Sequence, residues 1–125
     1  MYTVSVRKDF IARHALIGGD WGTENKLHSH HYRVEVRLEG SGLDRHGYLV
    51  DIDDIDAGLQ ETIAIYRDQT LNDLPEFNAK NPSLERFARI IHAALADRFK
   101  DLPLRGMAVR VWENELAWAE YRQTY

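Results

Sequence analysis

Between residues 31 and 39 the sequence alternates without interruption. Tyr32, Val34, Val36 and Leu38 interleave with His31, Arg33, Glu35, Arg37 and Glu39. A period of two sends one set to each face of a β-strand and suits no amphipathic helix. The opening segment repeats the pattern. Tyr2, Val4, Val6, Phe10 and Ala12 share one parity, broken at Lys8, while Thr3, Ser5, Arg7, Asp9 and Arg13 take the other. Two neighbouring strands, each with one buried face, are therefore expected, the second from about residue 27 to 39. The glycine-rich residues 18–23 form a loop between them.

The rest of the chain changes period. After turn residues 40–47 and a short Tyr48-Leu49-Val50, the residues Ile52, Ile55, Leu59, Ile63 and Tyr66 fall on one helical stripe. The acidic run Asp51, Asp53, Asp54 and Asp56 suits that helix's N-terminus. Asn81-Pro82 reads as a cap followed by a first helical residue, and the stripe Leu84, Phe87, Ala88, Ile91 and Leu95 follows. Residues 68–80 are a loop. Met107, Val109 and Val111 alternate with Ala108, Arg110 and Trp112, and the aromatic residues 115–125 form a last strand. The order strand, strand, helix, helix, strand, strand predicts an α+β fold: a four-stranded antiparallel sheet with two helices on one face, in a single domain over residues 1–125.

Parity also organises the histidines. His14 shares the parity of Phe10 and Ala12; His28 and His30 share that of Tyr32 and Val34. All three are expected on the apolar side of the sheet, and His31 on the other. A His-x-His pair on a strand sets two imidazoles about 6–7 Å apart along one face. Their nitrogens can then converge on one ion at about 2.0–2.1 Å, with a third from the neighbouring strand. Three neutral nitrogens and an open position make the catalytic type of zinc site, one able to polarise a substrate oxygen. His31, His46 and His92 read as surface residues.

Composition narrows the chemistry. No cysteine occurs, which removes disulfides, thiolate ligands and a thiol nucleophile. Net charge is -4 without a basic run, so a nucleic-acid surface is not expected. No apolar run approaches a membrane span, and the first residues lack the apolar core of a signal peptide, so the expected location is cytoplasmic.

Several stretches together resemble the 6-pyruvoyl-tetrahydropterin synthase and 6-carboxytetrahydropterin synthase family. Phe10-Ile11-Ala12-Arg13-His14 resembles its F-x-A-x-H, and Leu27-His28-Ser29-His30-His31-Tyr32 its L-H-G-H-N-Y. Gly47-Tyr48-Leu49-Val50-Asp51-Ile52 resembles its glycine-led stretch before the first helix. Leu71-Asn72, Asn81-Pro82-Ser83-Leu84-Glu85 and Val111-Trp112-Glu113-Asn114 resemble L-N, N-P-T-x-E and V-x-E-T. The resemblance implies the T-fold, and a hexamer of two trimers with active sites between subunits. It implies zinc on His14, His28 and His30, a pterin substrate, and Glu113 as the anchor of the pterin ring. A strand-end carboxylate accepts the two N–H donors of a guanidine-like edge in fork geometry.

The sequence departs from the family at its proton-transfer residues. The family's cysteine, four residues before the first His of the pair, is Glu24 here. Its L-D-H-x-x-L-N is Tyr66-Arg67-Asp68-Gln69-Thr70-Leu71-Asn72, with Arg67 in the Asp place and Asp68 in the His place. A carboxylate beside a bound substrate can serve as base in a dry site, so Glu24 is the expected base, with Asp68 orienting or reprotonating. Related members with Glu in that position are thought to cut the pterin side chain to a 6-hydroxymethyl product. The expected function is a zinc-dependent lyase acting on 7,8-dihydroneopterin triphosphate or a close relative, in queuosine, folate or tetrahydropterin synthesis. Arg13 and Lys26 are candidates for the triphosphate. The alternatives are a non-catalytic pterin- or purine-binding protein and a metal-dependent hydrolase.

Overall fold

Each periodicity above becomes the element able to bury its apolar set. The computed structural model describes residues 1–125. In chain order it contains β1 (Tyr2–His14), β2 (His28–Gly40), α1 (Ile52–Tyr66), α2 (Leu84–Arg98), β3 (Gly106–Trp112) and β4 (Trp118–Thr124). The strands form one antiparallel sheet in the order β1-β2-β3-β4.

Register aligns the apolar parities across the sheet. Phe10 lies opposite Tyr32, while Val36 is flanked by Val6 and Val109, and Leu38 by Val4 and Met107. These residues pack with Ile55, Leu59 and Ile63 of α1 and Phe87, Ile91 and Leu95 of α2 in one core. Lys8, the break in the β1 pattern, keeps its place opposite Val34. Its ammonium reaches Asp56 on α1 at 2.9 Å, so the aliphatic stem lies along the sheet while the charge stays paired.

Three expectations are corrected. α2 starts two residues later than Asn81-Pro82 suggests: Ser83 is the cap, its Oγ accepting from the Arg86 amide at 3.2 Å. The last strand begins at Trp118, because the Asn114 side chain accepts from the amides of Leu116 and Ala117 and turns that stretch. His92 is buried, 1% exposed. It stands one helical turn after Ala88, and α2 packs on both β3 and β4, so the buried stripe is wider than the apolar residues mark. The His92 ring meets Tyr121 edge-on at 4.9 Å, and its Nε2–H donates to the Met107 carbonyl at 3.0 Å.

The connection after α1 is tied to the end of β1. The Asp68 amide donates to Ile11 O at 2.7 Å, and the Arg13 amide to Gln69 O at 2.9 Å. Short 3-10 turns follow at Leu71–Asp73 and Pro75–Phe77. No helix is long and apolar enough to cross a membrane.

Candidate metal centre

The end of the β1–β2 ladder carries the histidines. His14 pairs directly with His28, and Ala12 with His30. Since alternate residues share a face, the three rings meet on the helix side. Ring centroids are 4.6 Å apart for His14–His28, 4.4 Å for His14–His30 and 4.6 Å for His28–His30. His31 points away and sits 3.3 Å from Asp9 on the opposite face.

Glu24 joins them from the intervening loop. It lies in a 3-10 turn, Gly22–Asn25, whose first residue has φ +63°, a conformation that favours glycine. The Glu24 Oε2 is 2.8 Å from His28 Nε2 and 3.9 Å from His30 Nε2. One ligand atom each from His14, Glu24, His28 and His30 lies within 4.8 Å of every other.

Hydrogen bonds at the far side of two rings decide which nitrogens face inward. His28 Nδ1 is 2.7 Å from the Lys26 carbonyl, an acceptor, so Nδ1 donates outward and Nε2 faces the cluster. His14 Nδ1 is 2.5 Å from the Tyr32 hydroxyl. Burial, with His30 and His28 adding, lowers the His14 pKa to about 4, and the ring is neutral. Burial first, then Glu113 and Glu24, pushes the Tyr32 phenol well above its ordinary value, and it stays protonated.

This donor set fits a divalent cation. His28 Nε2 stands 2.7 Å from His30 Nε2 and 2.8 Å from the Glu24 carboxylate. Lone pairs at such distances repel unless a proton or a cation lies among them. Three imidazoles match zinc's preferred ligands, with the Glu24 carboxylate beside the remaining position, and the carbonyl and hydroxyl behind the rings supply the outer shell such ligands use.

The other expected residues fall at different distances. Glu113 follows β3, its carboxylate 3.6 Å from His30 Nε2, and it also lines a cleft of about 240 Å³ with Asp9, His31 and Arg33. Asp68 contributes backbone: its φ is +60°, and its carbonyl accepts from Arg13 Nη2 at 2.8 Å. Its carboxylate is not part of the histidine cluster. Arg13 is thus engaged with the 68–70 connection, also contacting Thr70 Oγ1 at 3.4 Å. Two participants escaped the sequence reading. Tyr32 read as a core strand residue and as the end of the Leu-His-x-His motif, with no role of its own, although its position two residues after His30 on the same face was a signal. Asn72, paired with the backbone of Ala15 next to His14, had none beyond the Leu-Asn motif.

The sequence model of one family, 6-pyruvoyl tetrahydropterin synthase, matches residues 3–124. The chain belongs to this family. A curated relative, a putative 6-carboxy-5,6,7,8-tetrahydropterin synthase of Archaeoglobus fulgidus, is 31% identical over 96% of this chain and 95% of its own length. Among solved structures, the 6-pyruvoyl tetrahydropterin synthase of Caenorhabditis elegans superposes with a TM-score of 0.83 at 18% identity, covering 98% of this chain and 96% of its own. That of Plasmodium vivax, solved as a variant with a catalytic glutamate replaced by alanine, gives 0.81 at 15% identity over 99% and 98%. The sheet and its two helices are therefore the T-fold of the tetrahydropterin synthases.

Proposed function

We propose that the chain is a zinc-dependent pterin lyase acting on 7,8-dihydroneopterin triphosphate or a close relative, with Glu24 in the role of the family's cysteine. The observation that carries this reading is the Glu24 carboxylate 2.8 Å from His28, inside the histidine cluster. The Plasmodium vivax relative's catalytic glutamate supports a carboxylate in such a role on this fold.

His14, His28 and His30 hold the zinc, which when bound supplies a Lewis acid toward the substrate's side-chain oxygens. Glu24 takes the proton from the substrate side chain. Glu113 accepts the two N–H donors of the pterin's guanidine-like edge, orienting the side chain toward Glu24. Asp68 shapes the connection after α1 through its backbone carbonyl, which Arg13 holds. The resemblance to the family extends this reading to a hexamer of two trimers with active sites between subunits.

A second reading within the same site is cleavage of the side chain to 6-hydroxymethyl-dihydropterin, a retro-aldol step that needs only a base and an electrophile. Glu24 in the cysteine position favours it. Mass spectrometry of the product made by zinc-loaded protein from dihydroneopterin triphosphate separates the two, with Glu24→Gln as control. Tight ligand binding with no product would instead indicate a pterin-binding protein.

A further inference from the structure

Ala15 is the first residue beyond β1, so its amide and carbonyl have left the strand ladder. A single side chain takes both. The Ala15 amide donates to Asn72 Oδ1 at 2.8 Å, and Asn72 Nδ2 donates back to the Ala15 carbonyl at 2.8 Å. The next amide, Leu16 N–H, donates to the Glu24 carbonyl at 2.9 Å. Asn72 thus holds, through the Ala15 carbonyl, the same peptide unit whose Leu16 N–H bonds the Glu24 backbone. From the other side, Asn25 Nδ2 donates to the carbonyls of Leu16 and Gly19, at 3.1 and 2.9 Å. The Glu24 loop has no regular strand or long helix of its own to hold it, and these amide bonds take that place.

We infer that Asn72 is a positioning residue that sets the Glu24 carboxylate over His28 through the backbone of Ala15 and Leu16. The inference rests on the reading of Glu24 as base. Its effect is directed at Glu24 rather than at the histidines. His14 is fixed by the β1–β2 ladder and the Tyr32 hydroxyl, and His28 by the ladder and the Lys26 carbonyl. Without the Asn72 amide, the Ala15 peptide is free to rotate toward water. The Leu16–Glu24 bond then shifts and the carboxylate moves off His28. A misplacement of about 1 Å costs on the order of 10²-fold in rate.

Two measurements test this, one independent of turnover. In metal-free protein, imidazole ¹H–¹⁵N spectra of Glu24→Gln should show a displaced His28 Nε2 resonance. Asn72→Ala should displace the same resonance in the same direction and leave His14 in place. Asn72→Asp keeps the side chain's shape and the acceptor for the Ala15 amide, so it guards against misfolding; a smaller displacement is expected. In zinc-loaded protein, Asn72→Ala should lower kcat about 10²-fold with KM within about 3-fold. Asn72→Ala added to Glu24→Gln should slow it no further, as expected of two residues acting as one unit. A His28 resonance unmoved by both Asn72 variants, or an undiminished further loss in the double variant, overturns the inference. A His28 resonance unmoved by Glu24→Gln itself removes the underlying reading, a failure visible without any Asn72 variant.

Discussion

His14 and His28 face each other across the β1–β2 ladder, with ring centroids 4.6 Å apart. β1 delivers the His14 ring and β2 the rings of His28 and His30 to the same point, each from its own register position. His28→Ala should lower zinc affinity by more than the ~10–100-fold that loss of an outer-shell partner typically costs. His31→Ala, on the opposite face, should leave it unchanged. Competition with a chromophoric chelator measures both. Wild-type affinity in the His28 variant would count against the metal assignment.

The Tyr32 hydroxyl addresses the ring of His14 from behind. For His14 to offer Nε2 to a metal, its Nδ1–H must donate to that oxygen. Tyr32→Phe keeps the ring, which stacks on Phe10 at 5.4 Å and packs against Phe87. It is therefore expected to fold and to lose about 10–100-fold in zinc affinity. The same chelator titration checks it, with unchanged affinity denying Tyr32 any part in holding His14.

Glu113 gives a different signature. Glu113→Gln preserves shape and replaces one acceptor oxygen with a donor, so a fork of two N–H groups is no longer matched. Hydrogen bonds to charged groups contribute about 1.5–3 kcal/mol, so KM for the pterin substrate should rise about 10–100-fold. Zinc affinity should stay within about 3-fold, since Glu113 stands 3.6 Å from His30 and outside the four-residue metal cluster. Steady-state kinetics beside a zinc titration separates ring anchoring from metal binding.

Strand parity is a local property, which is why His14, His28 and His30 could be placed on one face from the sequence, and His31 on the other. The closeness of Glu24 to His28 is not local. It depends on the left-handed turn at Gly22 and on the Leu16–Glu24 bond, neither of which has a periodic signature. Asn72 lies beyond such reading because its partner, Ala15, comes from an earlier connection and is met only once β1 and α1 have packed. The start of α2 was misread because Asn81 and Ser83 can both cap. Tertiary structure decides: Asn81 Oδ1 accepts from the Ile17 amide at 2.6 Å, leaving the helix to Ser83. His92 was misread because the width of a buried stripe depends on how many strands the helix covers.

That buried His92 predicts a pH dependence distant from the histidine cluster. Burial lowers its pKa below the ordinary value of 6.5, and the bond to Met107 O opposes this only in part. Below about pH 6.5 the unfolded chain therefore binds a proton that the folded chain does not. Stability from this group is fully present above that pH and is lost as pH falls toward the folded value, at a slope not exceeding about 1.4 kcal/mol per pH unit. Tyr121 and, over its ring, Arg89 line the same packing surface. His92→Gln retains an N–H able to reach Met107 O and removes the titration. Urea unfolding of both proteins from about pH 8 to 5 should show wild type losing ground to the variant only below about pH 6.5. A constant difference across that range would mean that His92 binds its proton equally well folded and unfolded.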